Sequence, residues 1–68
     1  MEPFEINLVG QTLIIQPRLD DAYDVFEGSE KLGAIFPVSE NGHTSWTSEE
    51  LSTDYAKQIV ELIDEHQL

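Results

Sequence analysis

The spacing of apolar residues changes once along this 68-residue chain, and that change limits the folds the chain can adopt. Up to Trp46, apolar and polar residues alternate in short segments, as from Phe4 to Leu8, which is typical of strands with one buried face. After Trp46 the apolar residues recur three and four positions apart, the spacing of an amphipathic helix. The sequence therefore predicts an α+β fold, an antiparallel meander of four or five strands with one C-terminal amphipathic helix packed on one face.

Turn residues separate the predicted strands. The strands cover residues 3–8, 12–16, 23–26 and 32–38, with a short fifth strand at 43–46. Gly10 predicts a hairpin between the first two strands. Asn41-Gly42 predicts another before the fifth, because both residues of an Asn-Gly pair tolerate positive φ. Successive side chains of a strand point to opposite faces of the sheet, so Ile14 lies on the other face from Leu13.

The predicted helix runs from Leu51 onward. Its apolar residues fall within an arc of roughly 140° if each residue advances by about 100°; they are Leu51, Tyr55, Ala56, Ile59, Leu62 and Ile63. Two N-caps fit the sequence, Thr47 in a capping box with Glu50, and Ser52. The opposite side carries charged residues, Asp54, Lys57, Glu61, Asp64 and Glu65. Lys57 and Glu61 have the spacing of a weak ion pair.

The length of the chain predicts one domain, residues 1–68, with one core. A hydrophobic fraction of 40% is too high for a disordered acidic tail. A core of this size supplies only about 3–5 kcal/mol. Because the chain has no cysteine, neither a disulfide nor a thiolate metal site can add to that stability. The remaining sources of additional stability are efficient packing, self-association or partner binding.

The charge balance is strongly acidic, with fourteen Asp and Glu against three Lys and Arg and a formal net charge of −11. A nucleic-acid-binding protein needs several cations to neutralise phosphates, so we expect no nucleic-acid partner. Anionic lipid headgroups are repelled for the same reason, and neither a membrane span nor a basic secretion signal is visible. We expect a cytoplasmic protein whose partner, if charge selects it, is basic.

No residue pattern predicts catalysis, a metal or a cofactor. Asp20, Asp21 and Asp24 are close enough in sequence to suggest a Ca²⁺ or Mg²⁺ site, but they lack the spacing of a calcium loop and are better explained as a solvated turn. His43 and His66 have no second imidazole at helical spacing for zinc. The isolated glycines form no phosphate-binding loop. We therefore expect no enzyme and no cofactor.

Two residues have more than one interpretation. Gly33 lies inside a predicted strand, where it indicates a bulge or a place at which Trp46 or Tyr55 covers the backbone. Trp46, the one tryptophan, is interpreted as a core residue, with an interface anchor as the alternative.

Two functional hypotheses follow. The first is a protein-interaction module that binds or inhibits a basic, nucleic-acid-binding protein through the carboxylates of Asp54, Glu61, Asp64 and Glu65. The simpler alternative is that the charge only maintains solubility. The second hypothesis is a structural homo-oligomer, a weak homodimer, assembled through the uncovered sheet face that contains Ile14 together with Phe26 and either Phe36 or Ile35.

Overall fold

The computed structural model describes residues 2–67. It contains β1 (Phe4–Leu8), β2 (Gln11–Pro17), β3 (Tyr23–Glu27), β4 (Glu30–Glu40), β5 (His43–Thr47) and α1 (Thr53–His66). The five strands are antiparallel and lie in sequence order within one curled sheet. The helix packs against this sheet and contacts both edge strands, β1 and β5. The predicted α+β meander with a C-terminal helix is confirmed, and the fifth strand is present.

The strands pair so that the apolar residues at every second position lie on the same face of the sheet. Ile6 pairs with Leu13, and Ile15 pairs with both Phe4 and Val25, so these side chains share the face that meets the helix. The fully buried side chains of the sheet include Leu13, Ile15, Val25 and Ile35. The alternation that predicted the strands therefore also identified the core face.

The helix buries one side of its predicted apolar arc. Ala56, Ile59 and Ile63 are buried against the core, while Leu51 precedes the helix and is half-buried. Ser52 is the N-cap, because its Oγ accepts a hydrogen bond from the Tyr55 N–H at 3.2 Å.

The capping box of Thr47 with Glu50 is not formed. Thr47 is the last residue of β5, and the carboxylate of Glu50 instead accepts a hydrogen bond from the Ala34 N–H at 3.3 Å. The segment between β5 and the helix therefore folds back over β4, which moves the start of the helix to Thr53.

Two contacts attach the helix to the first hairpin. The Tyr55 hydroxyl donates a hydrogen bond to Gln11 Oε1 at 2.9 Å, close to the helix N-terminus. At the other end, the His66 ring stacks on Phe4 with 4.2 Å between ring centroids. Because both ends contact the hairpin, the helix cannot rotate about its axis without losing one of them.

Gly33 occupies a bulge, as one of its two interpretations predicted. Val25 pairs with Gly33 and Phe26 with Lys31, so Leu32 is an extra residue in β4. A Cβ at Gly33 would lie 2.9 Å from the Cβ of Glu50. The residue that covers Gly33 is therefore Glu50, and the alternative prediction that Trp46 or Tyr55 does so was wrong.

Candidate functional site

The four helical carboxylates predicted to bind a partner are all exposed. Asp54, Glu61 and Glu65 follow one another along the side of α1 that faces away from Ile59. We call these three residues the outer helix stripe; it extends about 16 Å along the helix axis. None of the three forms an ion pair within residues 2–67. Their charge is thus available to solvent or to a partner.

Asp64 lies to one side of the outer helix stripe, on the flank of α1 that faces β5. Together with Glu61 it borders a groove between α1 and β5, which we call the α1–β5 groove. The groove has a volume of about 470 Å³ and is lined by Thr44, Ser45, Trp46, Thr53, Lys57, Val60, Glu61 and Asp64. Two of the predicted carboxylates are therefore brought together with residues of β5, whereas Asp54 and Glu65 are not.

Lys57 also lines the α1–β5 groove. The ion pair between Lys57 and Glu61 that their spacing allowed is not formed, and Lys57 has no ion pair within the described part of the chain. The carboxylates of Glu61 and Asp64 likewise form neither an ion pair nor a side-chain hydrogen bond within residues 2–67. The charged groups of the groove are therefore free to bind a partner.

Trp46 packs against the core and also borders two grooves. It is half-buried and packs against the core, and its ring centroid lies 5.7 Å from that of Tyr23. The same side chain lines the α1–β5 groove and a second groove of about 500 Å³, to which Tyr23, Arg18 and Asp21 contribute. Packing fixes the position of the indole, while part of its surface stays accessible from the grooves.

The apolar residues expected on the sheet face away from the helix are half-buried rather than fully exposed. Ile14 pairs with Phe26 on this face, and both side chains, like that of Phe36, are half-buried. Ile35 lies on the core face, which decides between the two alternatives for the fourth strand. The Arg18 guanidinium lies over the Phe36 ring at 5.6 Å and covers part of the patch. We call Ile14, Phe26 and Phe36 the outer sheet patch.

Two of the three aspartates that the sequence singled out, Asp20 and Asp24, contact cations. Arg18 lies 3.1 Å from Asp20 and 3.5 Å from Asp24, and the Lys31 ammonium lies 3.3 Å from Asp24. Asp20 also accepts a hydrogen bond from the Ala22 N–H, as in a turn. No group of three potential metal-binding side chains occurs among the described residues. These aspartates therefore neutralise cations of their own chain.

The two histidines lie in different settings. His43 is exposed at the start of β5, beside the equally exposed Thr44 and Ser45. His66 ends α1, where it stacks on Phe4. The sequence gave no signal for this contact, because the partner is 62 positions away in a strand.

Comparison with known proteins gave no match to a family model, to a curated protein or to a solved structure. Among the described residues, no helix has both the length and the apolar character needed to cross a membrane. Inferences about function therefore depend on the surfaces of the chain itself.

Sequence reasoning missed four residues that line the α1–β5 groove, Thr44, Ser45, Thr53 and Val60. Thr53 and Val60 lie on the β5 side of the helix, three to four residues from Lys57 or Asp64, so helical spacing groups them with these residues. What the spacing does not reveal is the strand on the other side of the groove.

Proposed function

We propose that the protein is a non-enzymatic, cytoplasmic interaction module that binds a basic protein surface through the outer helix stripe and the adjoining Asp64. A nucleic-acid-binding protein is a suitable class of partner, because the helical carboxylates would bind its basic surface where the phosphates of the nucleic acid otherwise bind. The observation that supports this most directly is that the helical carboxylates are exposed and unpaired, although the chain contains cations that could neutralise them.

The distribution of the three cations strengthens the argument. Arg18 and Lys31 form ion pairs with Asp20 and Asp24, so of the three cations only Lys57 is near the helical acids. Fields from clustered charges of one sign raise association rates with partners of opposite charge. A negative helix surface is therefore suited to rapid, salt-sensitive capture of a basic protein.

The attachment of the helix favours binding over simple solubility. Charges that only maintain solubility can lie on any mobile segment, whereas α1 is capped by Ser52 and held by the Tyr55–Gln11 and Phe4–His66 contacts. Carboxylates on a fixed helix keep a constant spacing and lose little freedom when a partner binds.

The test is charge reversal on the helix, Glu61→Lys with Glu65→Lys. Both positions are exposed, and such substitutions usually change stability by under about 0.5 kcal/mol, so the variant should fold. We expect a pull-down with the wild-type chain to recover basic proteins at low salt and to lose them at high salt. The variant should lose them already at low salt.

A matched control separates position from net charge. Glu30→Lys with Glu40→Lys changes the net charge equally, at exposed residues at the two ends of β4. This variant should retain most of the basic proteins. Equal loss in both variants would show that total charge alone matters, and no loss in the helix variant would contradict the proposal.

A structural homodimer formed through the outer sheet patch is the second candidate. The observation in its favour is that Ile14, Phe26 and Phe36 retain partly exposed apolar surface with the paired charges of Asp24, Arg18 and Lys31 nearby. Two copies of so acidic a chain would repel each other least where the acids are paired. Such a dimer should persist at high salt, unlike the complex with a basic partner.

A further inference from the structure

We infer that the α1–β5 groove receives an arginine side chain of the basic partner, an inference that rests on the proposed function. The groove lies beside the outer helix stripe and shares Glu61 with it, so a partner bound along the stripe also covers the groove. The inference adds a specific contact to an otherwise long-range attraction.

The chemistry of the lining fits a guanidinium group. The apolar wall is formed by Trp46 and Val60, while Glu61 and Asp64, one helical turn apart, supply carboxylates at the border. A guanidinium group stacks its planar face on an indole and donates hydrogen bonds from its edge to carboxylates. Few other side chains satisfy an aromatic wall and two acids together.

The net charge of the α1–β5 groove favours a positively charged ligand. Glu61 and Asp64 outweigh Lys57 in the groove by one formal negative charge, and the chain as a whole carries −11. An anionic ligand would meet repulsion from all sides except that of Lys57. A cation neutralises the excess, and none of the three charged side chains is paired within residues 2–67.

The second groove provides a contrast within the same molecule. It shares Trp46 and has a similar volume of about 500 Å³, but its charged lining residues are Arg18 and Asp21. Arg18 places a guanidinium there already, paired with Asp20 and Asp24. In the second groove a partner arginine would therefore meet one carboxylate, Asp21, beside a guanidinium already in place, whereas the α1–β5 groove offers two carboxylates without an ion pair.

The test uses the fluorescence of Trp46, the only tryptophan in the chain. The probe is the acetylated and amidated peptide Gly-Arg-Gly, titrated into the wild-type chain at low salt. The control peptides replace arginine with citrulline, which is uncharged, or with lysine. We expect a saturable change in fluorescence with the arginine peptide, none with citrulline, and weaker binding with lysine, which lacks the planar group.

Two variants with the same change in net charge locate the site. Glu61→Gln with Asp64→Asn removes the carboxylates of the groove, whereas Asp54→Asn with Glu65→Gln removes acids outside it. All four side chains are exposed, so both variants should fold. We expect the first to weaken binding of the arginine peptide about tenfold or more and the second by less than about twofold.

The outcomes separate this inference from the proposed function. Equal weakening in both variants, equal binding of citrulline, or no change in Trp46 fluorescence would overturn the arginine site. The proposed function would still stand if the pull-down kept its dependence on salt and on Glu61 and Glu65. Loss of that dependence would overturn the proposed function, whatever the peptide result.

Discussion

The turn between β1 and β2 contains a residue that is poorly suited to its backbone conformation. Leu8 pairs with Gln11, so the turn consists of Val9 and Gly10, with φ of 49° and 79°. Two consecutive residues at positive φ define the hairpin turn that prefers Asn-Gly. A side chain in this left-handed region costs roughly 1–2 kcal/mol, and branching at Cβ makes valine a particularly poor choice.

Replacement of Val9 by asparagine should therefore stabilise the protein. Val9 is 91% exposed, so the substitution removes almost no packing. Asparagine tolerates positive φ at lower cost, and we expect the free energy of unfolding to rise by about 1 kcal/mol. For a chain of this size, that corresponds to an increase in melting temperature of roughly 4–8 °C.

The turn between β4 and β5 supplies the reciprocal control. Glu40 pairs with His43, and the turn residues Asn41 and Gly42 have φ of 50° and 81°, nearly the same geometry. Asn41→Val should lower stability by a similar amount, about 1 kcal/mol. The two turns share no pairing, so the double variant Val9→Asn with Asn41→Val should melt close to the wild type.

The assay is thermal unfolding followed by circular dichroism, with urea unfolding as a second measurement. The far-ultraviolet spectra of the folded variants should match that of the wild type, since neither side chain belongs to the core. A Val9→Asn chain that melts at or below the wild-type temperature would refute the argument from backbone conformation.

The remaining predictions concern the core, the bulge and self-association. Ile59→Asp places a carboxylate where the side chain is 0% exposed, so the thermal transition should disappear, while the exposed neighbour Gln58→Asp should melt within a few degrees of wild type. Gly33→Ala forces a Cβ to within 2.9 Å of the Glu50 Cβ, and urea unfolding should show a loss of about 1–3 kcal/mol. Sedimentation equilibrium at high salt should detect a weak dimer that Ile14→Asp abolishes; a monomeric wild type at submillimolar concentration would exclude dimerisation through the outer sheet patch.

The hairpins at Val9-Gly10 and Asn41-Gly42 and the amphipathic helix could be predicted because their signals are local. Alternation at spacing two places Leu13 and Ile15 on one face and Ile14 on the other, whatever the neighbouring strands do. Helical spacing placed Ile59 at the centre of the buried side, where the structure has it. The net charge of −11 likewise follows from composition and needs no fold.

Tertiary structure decided every feature that joins distant parts of the chain. The carboxylate of Glu50 does not form the predicted capping box but accepts a hydrogen bond from the Ala34 N–H of β4, which is 16 positions away in the sequence. The pairing of Arg18 and Lys31 with Asp24 depends on strand register, which short-range patterns do not fix. The position of Glu61 and Asp64 across a groove from Trp46 depends on how α1 lies between β1 and β5, because packing of the whole core, not local propensity, sets the helix orientation.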